Sequence, residues 1–260
     1  CLVMTRVQDM GFMDLPNKFT SDRAAFGCWL KVPSSVTAEI AALSGFDYVC
    51  IDMQHGFSDR NDLIPMLQAI QPHTSRAIVR VPSNDASIIG WALDAGATGV
   101  IVPLVNSAEE AEQAIKACFY PPKGNRSMGP TRAVRVFGEE YVQGVEGSIQ
   151  CLPMIETLDA LNNLDAILSV DGVDAIYVGP SDLSVNLGLP KGNNDGNPKF
   201  DEALEKIVSS CEKHNVTPGI HANSSLAFTR QQQGFRVLTV VEDDGAMNTG
   251  FQEVFKEVQS

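Results

Sequence analysis

The sequence predicts a single closed (β/α)8 barrel. Short β-rich runs recur eight times, most are followed by a helical pattern, and the runs are largely apolar rather than alternating. Strands without internal alternation are buried on both faces, as in a parallel sheet covered by helices. A chain of 260 residues is about the length of one such barrel. No G-x-G-x-x-G follows the first run and no G-x-x-x-x-G-K-[ST] occurs anywhere, which disfavours an open dinucleotide- or P-loop-type sheet.

Residues 1–24 lack a clear period and are expected to form an N-terminal arm, leaving 25–260 as one barrel domain with a C-terminal helix. The first strand is expected at 26–30 (FGCWL), followed by a helix over Ser35–Leu43 and Gly45 beyond it. The second strand, 47–52 (DYVCID), precedes a helix over Asp59–Ile70. The third, 77–81 (AIVRV), precedes Asp85–Ala95 and Gly96, and the fourth, 98–102 (TGVIV), precedes Ser107–Cys118. Asp59, Asp85 and Ser107 are residues that accept from the free N–H groups of a helix start. Pro121–Phe137, rich in Gly and Arg, reads as a long loop. The fifth strand, 150–155 (QCLPMI), leads into Leu158–Leu168; the sixth, 174–178 (DAIYV), leads into a second long loop at Gly188–Pro198. A helix over Phe200–His214, a strand at 217–221 (TPGIH), a helix over Ser224–Gln233 with Gly234, and a strand at 236–241 (RVLTVV) complete the set.

The formal charge of −13, from 19 basic and 32 acidic residues, argues against a nucleic-acid or anionic-membrane partner, since no basic patch offsets it. No apolar run reaches the roughly 18 residues of a membrane span. The cysteines at 1, 28, 50, 118, 151 and 211 have no C-x-x-C spacing, and Cys28, Cys50 and Cys151 fall in strands as small core residues would. Arg6, Asp9 and Asp14 stand where a signal peptide needs an apolar core. A reduced, cytoplasmic protein is expected.

In a (β/α)8 barrel, chemistry gathers at the carboxyl ends of the strands. Strand two ends in Asp52 and then His55, strand three in Arg80, and strand five delivers Glu156. Strand six is followed by Gly179-Pro180-Ser181-Asp182, and strand seven ends in His221. Each has a structural explanation alone. Glu156 and Asp182 suit helix starts, Arg80 is a partner for Asp52, and His55 is a loop histidine. Together they place acids, a base and a guanidinium on one rim, which favours a functional reading. Two carboxylates without a Cys–His cluster form a hard oxygen pair suited to Mg2+ or Mn2+, with positions left for water and a chelating 2-oxo acid. Arg80 would donate to the oxygen of a developing enolate, and His55 would relay a proton. No lysine sits at an expected strand end, so Schiff-base chemistry has no candidate.

The segments "GFDYVCIDMQHG" (45–56), "IVRVPSND" (78–85), "ALDAGATGVIVPLVNSAEEA" (92–111), "LPMIET" (152–157) and "GVDAIYVGPSDLSVNLG" (172–188) resemble the HpcH/HpaI family of metal-dependent class II pyruvate aldolases, of which macrophomate synthase is a related branch. The resemblance spans about Phe26 to Phe255. It implies a barrel of the phosphoenolpyruvate/pyruvate-binding type, and a homo-oligomer, usually a hexamer with helix exchange. It implies a lyase acting on a small 2-oxo acid, pyruvate or oxaloacetate, with an aldehyde or other electrophile. It also implies Glu156 and Asp182 as ligands of the divalent metal, Arg80 as the enolate-stabilising arginine, and His55 as the acid/base. Asp94 of "LDAG" would be the carboxylate partner of His55. Trp29 matches an aromatic residue at the site mouth, although packing explains a lone Trp equally well. The amides of Gly179 and Ser181 match those holding the pyruvate carboxylate.

Three positions depart from the family. Met154 stands where Gln is common, Gln54 where many members have Glu, and His221 where an apolar residue is expected. Three readings therefore stand: an aldolase for 4-hydroxy-2-oxo acids, an oxaloacetate decarboxylase or macrophomate-synthase-like enzyme, and a non-catalytic barrel subunit. The arm at 1–24 and the loop arginines Arg126, Arg132 and Arg135 are expected to line a subunit interface or cover the site.

Overall fold

A computed structural model describes residues 19, 20 and 22–259, so most of the expected arm, residues 1–18 and 21, lies outside the described residues. Eight parallel strands close on themselves in chain order, β1 pairing with β8. They are β1 (Ala25–Leu30), β2 (Tyr48–Asp52), β3 (Arg76–Arg80), β4 (Gly99–Val102), β5 (Gln150–Ile155), β6 (Ala175–Val178), β7 (Thr217–His221) and β8 (Val237–Glu242). The helices are α1 (Ser35–Leu43), α2 (Arg60–Ile70), α3 (Ala86–Asp94), α4 (Ala108–Cys118), α5 (Thr131–Phe137) and α6 (Tyr141–Ser148). They continue with α7 (Leu158–Asn162), α8 (Leu164–Leu168), α9 (Pro180–Asn186), α10 (Pro198–His214), α11 (Ala227–Gln232) and α12 (Asp243–Glu257). The side chains of Asp59, Asp85 and Ser107 cap α2, α3 and α4 as their residue types require.

The strands do alternate, but between two apolar destinations. Ala25, Trp29, Tyr48, Cys50, Ile78, Ile101, Leu152, Met154, Ala175, Tyr177 and Val237 pack together inside the barrel. Their neighbours Leu30, Val49, Ile51, Val79, Val100, Val102, Ile155 and Val178 pack outward under the helices. Side chains two apart share a face, so each inward column can be followed to its carboxyl end. Cys50 leads to Asp52, Ile78 to Arg80, Met154 to Glu156 and Tyr177 to Gly179. At the carboxyl end, polar side chains enter the barrel as the topmost members of these columns.

The opposite end is closed. The Phe19 N–H donates to Gln150 Oε1 at 2.9 Å, and its ring meets Tyr48 edge-on at 5.3 Å and the Arg76 guanidinium at 5.4 Å. Arg76 Nη2 donates to the carbonyls of Thr98 and Ser148. Higher up, the hydroxyls of Tyr48 and Tyr177 both meet Thr239 Oγ1, at 2.9 and 2.5 Å. Gly27 makes room for this: a Cβ there would lie 2.1 Å from the Tyr48 ring.

Two expectations change. The last seven residues of the expected 121–137 loop form helix α5, and the segment is anchored rather than draped over a site. Arg126 Nη2 donates to Asp94 Oδ1 at 2.5 Å and to the Tyr141 hydroxyl at 3.1 Å, while Arg132 Nη2 reaches Gln71 Oε1 at 2.6 Å. Arg126 and Arg132 read as loop charges because their partners are far away in sequence. The helix expected over 158–168 breaks at Asn163 into α7 and α8. The 188–198 segment remains irregular but fixed, because fully buried Arg230 binds Asp195 at 2.6 and 2.9 Å and Asn193 at 2.8 Å.

Among the described residues no helix is long and apolar enough to cross a membrane. Cys28, Cys50, Cys118, Cys151 and Cys211 are free and buried. In α12 only Asp243 is buried, whereas Met247, Phe251, Val254 and Phe255, and Val258 just beyond its end, are exposed.

Candidate active site

The carboxyl ends of the strands enclose a cavity of about 720 Å³ whose lining includes Trp29, His55, Arg80, Met154, Glu156 and Asp182. Gly179, Ser181 and His221 also line it, together with Lys31, Tyr177, Lys191, Glu242 and Asp244. The cavity has three walls.

On the β2–β3 wall, register places Asp52 beside Arg80. The Asp52 carboxylate is sealed from solvent and accepts from Arg80 Nε at 2.8 Å, Arg80 Nη2 at 2.6 Å and Trp29 Nε1 at 3.1 Å. It also accepts the backbone N–H groups of Gln54 at 3.0 Å and His55 at 3.2 Å. Burial pushes the Asp52 pKa up, but the Arg80 hydrogen bonds and charge, with the Trp29 and His55 N–H groups, hold it below the ordinary carboxylate value. Burial works against the Arg80 charge too, and Asp52 outweighs it, raising the arginine. Arg80 Nη1 has no hydrogen-bond partner among the described residues, and the guanidinium lies 4.9 Å from the Trp29 ring centroid. Asp52 therefore orients the arginine and leaves one N–H edge for a ligand. The same carboxylate pins the backbone of His55, whose exposed side chain lines the cavity.

On the β5–β6 wall, Glu156 is 2% exposed. It does not cap α7: Thr157 Oγ1 does so, accepting the Ala160 N–H at 3.0 Å. The Glu156 carboxylate instead accepts the Leu104 N–H at 2.9 Å, from a backbone held in the left-handed region at φ 55°. Burial raises its pKa to about 7; the Leu104 N–H opposes this, neighbouring Asp182 adds to it, and Arg80 opposes it. Gly179 makes room, since a Cβ there would lie 2.3 Å from Glu156 Oε2. Asp182 occupies the first turn of α9 and is exposed.

A buried carboxylate with one N–H donor beside a second carboxylate is short of positive charge, which a bound cation would supply. Among the described residues no group of three His, Cys, Asp or Glu side chains could hold a metal ion. Two neighbouring carboxylates form an all-oxygen pair of the kind that fits Mg2+ or Mn2+, with other positions open.

The third wall, from β7, β8 and β1, carries His221, whose Nε2 lies 3.0 Å from Glu242 Oε1. Glu242 Oε2 accepts from Lys31 Nζ at 2.6 Å. The His221 hydrogen bond lowers the Glu242 pKa most; burial opposes it and Lys31 assists, leaving a value of about 2. Trp29 stacks on Tyr177 with centroids 5.6 Å apart and meets His221 edge-on at 5.0 Å. Met154 is buried among these groups and offers no donor to the cavity.

Asp94 stands apart. It ends α3, binds Arg126 and does not line the cavity, so within this chain the structure does not bring it to His55. Conversely, Lys31 just beyond β1 and Glu242 at the end of β8 line the cavity, which corrects the expectation that no lysine stands at a strand end; Lys31 Nζ is paired with Glu242 at 2.6 Å. The Leu104 amide left no sequence signal, because a leucine does not announce a left-handed backbone.

The HpcH/HpaI aldolase/citrate lyase family profile matches residues 25–240. Over 213 residues the chain is 36% identical to a 5-keto-4-deoxy-D-glucarate aldolase of Klebsiella pneumoniae subsp. pneumoniae, covering 80% of this chain and 82% of that protein. Over 239 residues it is 34% identical to a hydroxypyruvate/pyruvate aldolase of Rhizorhabdus wittichii, covering 92% and 95%. The fold matches a solved HpcH/HpaI aldolase/citrate lyase family protein from Burkholderia cenocepacia J2315 with a TM-score of 0.86, 28% identity and coverage of 92% and 96%. It matches macrophomate synthase with a TM-score of 0.81, 26% identity and coverage of 91% and 84%.

Asp52→Asn leaves Arg80 buried without its counter-charge and costs about 3–5 kcal/mol of folding stability, measured by urea unfolding. Because the folded-state pKa of Asp52 is depressed, its contribution is complete above the ordinary value of 3.8 and lost as pH falls through the lower folded value. The stability gap between the two proteins therefore narrows below pH 3.8.

Proposed function

Because the chain belongs to the HpcH/HpaI aldolase/citrate lyase family, we propose that it is a divalent-metal-dependent aldolase cleaving or forming a 4-hydroxy-2-oxo acid. Its products in the cleavage direction are pyruvate, or a close 2-oxo acid, and an aldehyde. The observation that carries this reading is the buried Glu156 carboxylate, which receives a single N–H donor, beside Asp182 and across the cavity from a guanidinium with a free edge.

A divalent cation held by Glu156 and Asp182 would supply Lewis-acid polarisation of the ketone oxygen of the 2-oxo acid. The amides of Gly179 and Ser181 hold the substrate carboxylate. Arg80, oriented by Asp52, donates to the oxygen that gains negative charge. His55 takes the proton from the C4 hydroxyl. The C4 oxygen becomes the aldehyde carbonyl, the electrons of the C3–C4 bond pass into the enolate, and a proton added at C3 yields the methyl group of pyruvate. No oxidant or reductant is needed. Asp94, committed to Arg126, has no step in this scheme.

Met154 favours a second reading. A thioether in place of a polar side chain suits oxaloacetate decarboxylation, or enolate capture by a larger apolar electrophile, with the same Arg80 and carboxylate pair. We place the enzyme in the cytoplasm, consistent with its free buried cysteines. We also assign it a homo-oligomeric, hexameric state. The apolar stripe Met247, Phe251, Val254, Phe255 and Val258 lies on, and just beyond, a helix that buries little against its own barrel, a face suited to another copy of the chain.

Glu156→Ala and Asp182→Ala, or treatment with EDTA, are each expected to reduce cleavage of a 4-hydroxy-2-oxo acid at least 100-fold, assayed as pyruvate release. Undiminished turnover in the chelated protein contradicts the reading, and a higher kcat/KM on oxaloacetate selects the second one. Phe251→Asp is expected to lower the mass seen by light scattering, whereas a monomeric parent protein contradicts the assembly.

A further inference from the structure

The 188–198 segment carries no residue of the proposed cleavage, yet it is anchored on both sides of Lys191. On one side stands α9, the helix that also carries Asp182. The Ser184 carbonyl accepts the Leu189 N–H at 2.8 Å, and Ser184 Oγ donates to the Gly192 carbonyl at 2.7 Å. Asn194 Nδ2 bridges the turn, donating to Ser184 Oγ at 2.9 Å and to the carbonyls of Pro190 and Gly192 at 2.7 and 3.1 Å. Pro190 and Gly192 flank Lys191, so its backbone is fixed through both neighbours. On the other side, α11 supplies the fully buried Arg230, which holds Asp195 through two bonds and Asn193 through a third. A buried guanidinium is destabilising unless it is well paired, and a solvated surface lysine needs no such support. The outcome of this anchoring is that the exposed Lys191 side chain lines the strand-end cavity.

The charges around that cavity give the lysine a use. Lys31, Arg80 and Lys191 are its cationic lining residues. Arg80 is committed to Asp52 at 2.6 Å, and Lys31 to Glu242 at 2.6 Å. Lys191 has no ion pair or hydrogen bond among the described residues. Against these cations stand Glu156, Asp182, Glu242 and Asp244 on the same lining, in a chain of formal charge −13. A divalent cation would offset Glu156 and Asp182, but Asp244 shares a lysine already bonded to Glu242, with Lys31 Nζ 3.8 Å from its Oδ1. A 2-oxo acid is an anion at neutral pH and is repelled by such surroundings. An ammonium without a local counter-charge is the group that opposes this repulsion.

We propose that Lys191, held at the cavity by the Ser184–Asn194 bonds and the Arg230–Asp195 pair, attracts the anionic 2-oxo acid into the site. It acts on substrate capture and not on bond cleavage. Arg230, Asp195, Ser184 and Asn194 are positioning residues that keep its charge where the anion enters. This inference rests on the aldolase reading, from which it takes the 2-oxo acid. Its signature is an effect on KM that salt removes, because the Debye length falls from about 10 Å at 0.1 M to about 3 Å at 1 M.

The test follows deuterium exchange at the pyruvate methyl group by the Mg2+-loaded full chain, as a function of pyruvate concentration at low and high salt. At about 0.1 M salt, Lys191→Met is expected to raise KM about fivefold while kcat falls less than about twofold, and Lys191→Arg to keep the parent KM. At about 1 M salt the KM values of the parent and Lys191→Met converge. Arg230→Met combined with Asp195→Ala removes the anchor without leaving a charge buried. That pair is expected to raise KM about two- to threefold alone and to add nothing to Lys191→Met, because both act through one group. A parent-like KM in Lys191→Met, a loss that falls on kcat, or a difference that persists at high salt overturns the inference alone. So does an anchor effect that adds fully to that of Lys191→Met, which would make the anchor merely structural. Absence of metal-dependent exchange in the parent protein overturns the aldolase reading together with it.

Discussion

Glu156 sits where a carboxylate is least easily kept: nearly sealed from water, at the top of the apolar Leu152–Met154 column, with one backbone N–H to receive its charge. Removing a carboxylate from water without full compensation costs several kcal/mol, or else drives its pKa upward. Its immediate surroundings follow from this demand. Leu104 adopts a left-handed backbone that turns its N–H toward the acid, Gly179 gives up a side chain that would collide with it, and Asp182 adds to the negative charge instead of relieving it. Such an arrangement is intelligible as a site completed by a cation.

Asp52 shows the contrast. It is buried to a similar degree, yet it receives N–H groups from Arg80, Trp29, Gln54 and His55, and its pKa falls rather than rises. One buried acid is saturated and structural, organising the arginine and histidine beside it. The other is left wanting. The difference in hydrogen-bond supply separates the two acids, and burial alone does not.

The barrel was legible because its apolar runs and helix starts are local signals: Asp59, Asp85 and Ser107 mark helix starts that the structure contains. So was the set Glu156, Asp182, His55, Arg80 and His221, since a strand end can be read from sequence and the fold brings strand ends together. What stayed hidden depends on partners distant in the chain. Arg126 and Arg132 looked like loop charges until Asp94, Tyr141 and Gln71 were seen to bind them. Asp94 was matched to His55 by motif, but a motif does not reveal that within this chain Arg126 binds the carboxylate. The role of Asp52 as common acceptor for one wall emerges only from register.

In the proposed reaction the Glu156–Asp182 pair and Arg80 together generate an enolate, whatever electrophile it later meets. Proton NMR of pyruvate in D2O tests this without knowledge of the acceptor. The account predicts loss of the methyl signal with Mg2+ or Mn2+ present, slowed at least 100-fold by Glu156→Gln. Absence of exchange with either metal, or exchange undiminished in Glu156→Gln, would contradict it.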